Sequence, residues 1–300
     1  MTERRDFKGY FGQEPRPCWP DDARLAVSFV VNVEEGAEPS IGDGDTYNES
    51  TYEIREAVED TPDLCMESHF AYGTRQGYAR IMDVFERFGV KATFSTCGRV
   101  AERSPWLLQD IVARGHEVSC HGWLWERHVH MERAVEETVI ERTHAAIEAA
   151  CGVAPVGWHT RSASSVNTRD ILRARGDFLY DSDAYDDDIP RIEQGHVVLP
   201  YAFDTNDMRF SPGGGFVQAR DFSDYVNGAF DRLYSEGETV ARMMSIGLHL
   251  RLIGRPARIK GLEDVLAHIT AHPKAWIAPR RDIARSWVQT HGGVSDGASD

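Results

Sequence analysis

No apolar run in this 300-residue chain approaches the roughly 18 residues of a membrane-spanning helix, so no membrane span is expected. Cysteine is scarce. Cys18, Cys65, Cys97, Cys120 and Cys151 form no CxxC pair and are odd in number, which speaks against a disulfide framework. Basic residues are also short, with 33 Lys and Arg against 48 Asp and Glu, a net charge of −15. That balance disfavours nucleic acid and anionic membranes, both of which need clustered cations. A small neutral or weakly charged substrate is the more compatible partner. The opening MTERRDFKGYFGQEPRP lacks the apolar core of a signal peptide, so the expectation is a reduced, cytoplasmic protein. Familiar nucleotide and acyl-transfer signatures are missing as well: there is no GxSxG, no GxxxxGK[ST] and no strand-following GxGxxG. The triple glycine at 213–215 has no helix start beside it.

What is present is a rhythm. RLAVSFVVNV at 24–33 reads as a buried strand, and residues 73–88 carry apolar groups at helical spacing up to Gly89. VKATFSTC, HEVSCHG, VGWHT, FLYDSDA, VVLPYAF and MMSIGLHL read as further strands, and AWIAPRRDIARSWVQTH as a closing strand and helix. Helical stretches lie between most of them, several closed by glycine at 115, 152 and 176. About seven such units predict an α/β fold with a parallel sheet, and sites in that architecture gather at the C-terminal ends of strands.

The polar residues at those ends are the candidates: Asn32, Glu34, Glu35, His121, His159, Arg161, Asp181, Asp183, His249 and Arg251. Glu34 and Glu35 are adjacent, so in extended chain one faces the pocket while the other turns away. His249 sits in an otherwise apolar strand, where a buried imidazole needs a polar partner and can serve as a general acid. Between His116 and His130 lie four histidines, two tryptophans and two glutamates. The density suggests a metal or acid–base site, yet four residues after His121 stands Trp125, where a second histidine would complete a pair. His128 and His130 read either as loop residues or as substitute ligands. Trp123, Trp125 and Trp158 read as core or as a wall for a flat substrate. Alternation aims Cys120 away from the pocket, and Asp181 and Asp183 read as site, support or solvated loop.

These segments together resemble the polysaccharide deacetylase superfamily, within it the branch of the metal-independent type of allantoinase and the cyclic imide hydrolases. The likeness runs through WPDDARLAVSFVVNVEEGAE, MESHFAYGTRQG, GHEVSCHGWLW, PVGWHT, FLYDSDAYDDDIP, FDTNDMRF, SIGLHLRLIGRPAR and RRDIARSWVQTH, nearly the whole chain. It implies a deformed (β/α)7 barrel, a single catalytic domain over 1–300 with an N-terminal extension to about residue 22, and a homo-oligomer. The family's two aspartates, a base and a metal ligand, correspond to Glu34 and Glu35. Its paired metal histidines correspond to His121 and Trp125, and its late acid histidine to His249. By the same resemblance Glu67, Asn206 and Asp207 orient substrate. Departures fall at His159, where the allantoinase has tyrosine, in the loop after it, and in ERHVHM, which adds His128 and His130.

The expected reaction is hydrolysis of a carbon–nitrogen bond in a cyclic amide such as allantoin, a hydantoin or a cyclic imide. Glu34 and His249 are the expected catalytic residues. Glu67, Trp158, His159, Arg161, Asn206 and Asp207 are expected around the substrate. The cofactor is either none or one divalent metal, zinc among them, held by Glu35 and His121. Two alternatives stand beside this: a metal-dependent N-deacetylase of an amino sugar or other acetamide, and a catalytically silent ligand-binding relative.

Overall fold

In the computed structural model of the chain, residues 7, 9–10, 12–54 and 56–292 are described. Of the extension expected up to about residue 22, residues 1–6, 8 and 11 lie outside the described residues.

Among the described residues, nine strands form one sheet. They are β1 (Leu25–Val33), β2 (Thr93–Thr96), β3 (Glu117–Cys120), β4 (Gly157–Trp158), β5 (Tyr180–Asp181), β6 (Arg191–Glu193), β7 (His196–Val198), β8 (Arg242–His249) and β9 (Ala275–Ile277). Seven run parallel in the order β7-β5-β4-β3-β2-β1-β8, as expected for a deformed (β/α)7 barrel. β6 is an antiparallel addition outside β7, and β9 pairs with the first half of β1. The strand path leaves a gap between β7 and β8. Residues 199–206 cross it as irregular chain and bridge to β8 at Asn206 and Gly247. The apolar VVLPYAF run is therefore strand only over its first part, and the remainder is the seam of the barrel.

Burial on both faces explains why β1 reads as a continuous apolar run, as parallel strands do. Leu25, Val27, Phe29, Val31 and Val33 pack outward against the helices. The inward face is smaller and more polar, with Ser28, Asn32, Ser95, Ser119, Ser182 and Ser245 all buried. Arg280 plugs this interior. It donates to Ser182 Oγ (2.9 Å), Ser245 Oγ (2.7 Å), Leu199 O (2.6 Å) and Pro200 O (3.0 Å). A buried guanidinium is tolerable only with its donors satisfied in this way.

The helix expected from residue 73 begins earlier, at Leu64, and continues through a π turn at Gly73–Gly77 into Tyr78–Arg87. The turn lies where the helix crosses the strand ends. A side chain at Gly73 would strike the Glu35 carboxylate, and one at Gly77 the carbonyl of Leu250. A short helix at Gly98–Arg103 was not anticipated by the periodicity. The long helices Arg133–Cys151 and Thr168–Arg175 end on left-handed Gly152 and Gly176, as read from the sequence.

Candidate active site

Strand register assembles the site. β1 and β8 pair over eight residues, ending with Asn32 beside His249. Inward alternation then carries Glu34 past the end of β1 and His121 past the end of β3. Asn32, Glu34, His121, Trp125, His159, Arg161, Tyr185, Tyr201, Phe203, Asn206 and His249 line a cavity of about 160 Å³.

Glu34 is its charged centre and is completely buried. Its Oε1 lies 3.5 Å from His121 Nε2 and 3.3 Å from His249 Nε2, and its Oε2 lies 2.7 Å from the Arg251 guanidinium. Burial opposes the charge. Arg251, His249 and the contact with His121 outweigh it and hold the carboxyl well below its usual range. His249 Nδ1 meets Asp207 Oδ1 at 2.6 Å. Burial also disfavours charge on this ring, yet Glu34 and Asp207 on its two sides raise it to about 9. His249 is thus an imidazolium at neutral pH, with a proton on each nitrogen. Asp207 is fixed in turn by the backbone N–H groups of His249 (2.8 Å) and Ile253 (3.0 Å). The Nδ1–H of His121 is committed to the carbonyl of His159 at 2.6 Å, since a carbonyl can only accept. Its Nε2 is the atom that faces Glu34 and the cavity.

His159 lies against Tyr201, ring centroids 4.4 Å apart. Burial, with the charges of His121 and Arg280 adding to it, depresses its pKa well below 6.5 and keeps it neutral. Arg161 lines the cavity, but its guanidinium is held by Glu49 at 2.5 Å and by the Trp125 carbonyl at 2.8 Å. It also covers the Trp125 ring at 3.5 Å.

Several residues singled out in the sequence lie elsewhere. Glu35 turns away from the cavity and accepts from the backbone N–H of Glu34 (3.0 Å) and of Arg251 (3.2 Å). Burial and the neighbouring Glu34 raise its pKa against the pull of Arg251. Glu67 accepts from Ser40 Oγ at 2.6 Å, outside the cavity lining. Trp158 is fully buried, its indole donating to Thr160 Oγ1 at 2.8 Å, so it supports the wall from behind. Asp207 acts on His249 and does not itself line the cavity. His128 faces Glu136 at 3.1 Å in the core, and His130 is exposed, so neither supplies a substitute ligand beside His121. Asp183 accepts from Thr160 N and Oγ1, both at 2.7 Å, and Asp181 pairs with Arg169 at 2.8 Å. Both acids are supports. Arg251 was a strand-end candidate without an assigned role, and Tyr201 was not singled out in the sequence. A tyrosine in an apolar run reads as packing.

The expected metal pair fails on geometry. Glu35 and His121 do not meet, because adjacent residues of an extended chain diverge. Among the described residues, no group of three His, Cys, Asp or Glu ligand atoms close enough to hold an ion occurs at the strand ends. Glu34 and His121 remain as two donors, while zinc sites take at least three from the protein. Trp125 fills the place of the further histidine, and the guanidinium of Arg251 already neutralises Glu34.

Comparison with known proteins gives the family and agrees on the fold. A model of the polysaccharide deacetylase family matches residues 59–176. A putative polysaccharide deacetylase of Schizosaccharomyces pombe is 34% identical, over 97% of this chain and 99% of that protein. The chain belongs to the polysaccharide deacetylase family. Among solved structures, PuuE allantoinase superposes with a TM-score of 0.93 at 39% identity, covering 98% of this chain and 100% of the other. A probable polysaccharide deacetylase from Pseudomonas aeruginosa PAO1 gives 0.92 at 40%, covering 96% and 99%. The family is one of hydrolases, and among the described residues no helix is long and apolar enough to cross a membrane.

Proposed function

We propose that this family member hydrolyses the carbon–nitrogen bond of a cyclic amide, of the hydantoin, allantoin or cyclic imide class. One observation carries the reading: the hydrogen-bonding state of Tyr201 and Asn32. Asn32 Nδ2 donates to the Leu248 carbonyl (3.3 Å) and to Tyr201 Oη (3.1 Å), which fixes the amide and leaves Asn32 Oδ1 without a partner. Asn206 Oδ1 accepts from Met208 N (2.8 Å), so its Nδ2 also donates to Tyr201 Oη (3.3 Å). With two donors upon it, the phenol must send its own hydrogen elsewhere. Burial raises the Tyr201 pKa and keeps that hydrogen in place. An unpaired acceptor and an uncommitted hydroxyl hydrogen thus belong to two residues that line the cavity.

That pair is complementary to an amide whose C=O and N–H lie on the same edge. Ring closure forces this cis arrangement in a lactam, hydantoin or imide. The acetamide of an amino sugar is trans, as unconstrained secondary amides are, and presents the two groups on opposite edges. It cannot engage both residues at once. A small cavity lined by aromatic rings and a few polar groups also suits a flat ring.

The chemistry follows from the proton positions. Glu34 faces the attacking water and takes its proton, with His121 Nε2 pointing at the same place. Tyr201 donates to a ring carbonyl, and Asn32 accepts the in-plane ring N–H. The imidazolium of His249 gives its Nε2 proton to the leaving nitrogen, whose lone pair becomes available perpendicular to the ring. Asp207 keeps His249 charged until that moment, and the proton taken by Glu34 returns to His249 across their 3.3 Å contact. The intact Glu34–His249–Asp207 chain weighs against a silent relative.

The test is a panel of allantoin, hydantoins, succinimide and acetylated sugars offered to the purified protein. Ring opening is expected, with little or no deacetylation. Tyr201→Phe should lower kcat/KM by about 10²-fold, as the loss of one preorganised donor does. Deacetylation without ring opening, or a fully active Tyr201→Phe, overturns the assignment.

A further inference from the structure

On the opposite end of the barrel, we infer a divalent transition-metal site formed by Asp231, His268 and His272. Asp231 lies in the helix Ala219–Glu236, and His268 in the helix Ile259–Thr270 packed against it. His272 follows that helix by two residues, just before β9, whose first residue pairs with the start of β1. The cluster therefore lies at the N-terminal ends of the strands, away from the cavity. The three ligand atoms lie within 4.8 Å of one another, the one such grouping among the described residues.

Three features make this more than chance proximity of polar groups. The two histidines are four residues apart at a helix end, the spacing that puts both rings on one face. Their ring centroids are 4.9 Å apart. His272 donates its Nδ1–H to the carbonyl of His268 at 2.9 Å. A backbone carbonyl on the far nitrogen is the arrangement that orients metal-binding imidazoles, and it leaves Nε2 as the lone-pair face. Phe230, fully buried, and Tyr234 wall the histidines, the Phe230 ring 5.6 Å from His268 and 5.0 Å from His272. Both rings are thereby restrained before any ion arrives.

His268 Nε2 lies 2.6 Å from Asp231 Oδ1, so this pair shares a proton without an ion. An ion would displace that proton and part the two atoms to about 3.3 Å, the edge of a tetrahedron with ~2.0 Å bonds. Asp231 is exposed and free to make that movement. Two imidazoles and one carboxylate suit zinc, cobalt or copper rather than calcium or magnesium, and a fourth position stays open to water. Bound, the ion clamps the helices 219–236 and 259–270 to each other. This site is independent of the proposed hydrolysis.

The experiment titrates the metal-stripped full chain with Co²⁺, read by its visible absorption, then displaces it with Zn²⁺. One equivalent should bind. The ion should raise Tm, and His272→Ala should weaken binding at least tenfold while leaving hydrolase turnover unchanged. His121→Ala at the cavity should bind as the wild type does. Absence of cobalt uptake, or equal uptake by His272→Ala and wild type, overturns the site. So does a loss of binding in His121→Ala alone.

Discussion

Replacing Asp207 by Asn isolates the charge that keeps His249 protonated. The Asn oxygen can still accept the backbone N–H groups of His249 and Ile253, so the local fold has its hydrogen bonds. What disappears is the anion 2.6 Å from His249 Nδ1. Raising the imidazole from 6.5 to about 9 corresponds to ~3 kcal/mol of preference for the charged ring. Glu34 and Asp207 share that preference, and a hydrogen bond to a charged group contributes ~1.5–3 kcal/mol. The variant should therefore lose about 10- to 100-fold in kcat/KM at pH 8. Its alkaline limb, near pH 9 in the wild type, should move down toward the ordinary histidine range. The sign is fixed by linkage. A raised folded-state pKa gives stability that is complete below about 6.5 and lost as pH rises through about 9. The wild type should thus lose denaturant resistance over that window, and Asp207→Asn should lose less. A pH–rate profile and an NMR titration of the His249 ring measure the effect. An alkaline limb that stays near pH 9 in Asp207→Asn refutes the reasoning.

Two further substitutions probe the same cavity. Arg251→Met should cost ~3–5 kcal/mol in urea unfolding, because it strands the buried carboxylate of Glu34. Adding Glu34→Gln should recover most of that loss, which pure packing damage would not allow. Gly247→Ala should push on Asn206 and Tyr201, whose polar ends occupy the space of its Cβ. Activity should fall more than the ~1–3 kcal/mol stability change typical of overpacking, when kcat/KM and the unfolding midpoint are compared.

The parts legible in the sequence were those set by local rules. The continuous β-branched run of β1, the helices closed by Gly152 and Gly176, and the divergence of Glu34 from Glu35 all follow from period and turn chemistry. Residues that depend on distant partners were not legible in that way. Arg251 matters because β8 delivers it beside Glu34 from more than two hundred residues away. Tyr201 has a free hydrogen only because two asparagines, one of them on β1, take both its lone pairs. Trp158 was misplaced because a tryptophan at a strand end can face either side. The π turn escaped because Gly73 and Gly77 answer to Glu35 and Leu250, which no window of adjacent sequence contains. The histidines at 128 and 130 show the converse, since their proximity to His121 in sequence does not survive folding.

The irregular chain over 199–206 and the 3-10 turn that follows it supply Tyr201, Phe203, Asn206 and Asp207. The irregular stretch is fastened to β8 by Gly247 N to Thr205 O (3.1 Å), Thr205 Oγ1 to Ser245 O (2.6 Å) and Ser245 Oγ to Pro200 O (2.9 Å). Arg280 grips the same carbonyl from inside. That fastening is slight beside the eight paired positions of β1 and β8. The hydrogen bonds that shut the barrel are hence also the ones that place these residues at the site. Opening of this seam alone would take Tyr201, Phe203, Asn206 and Asp207 from the site while the pairing of β1 with β8 stayed in place.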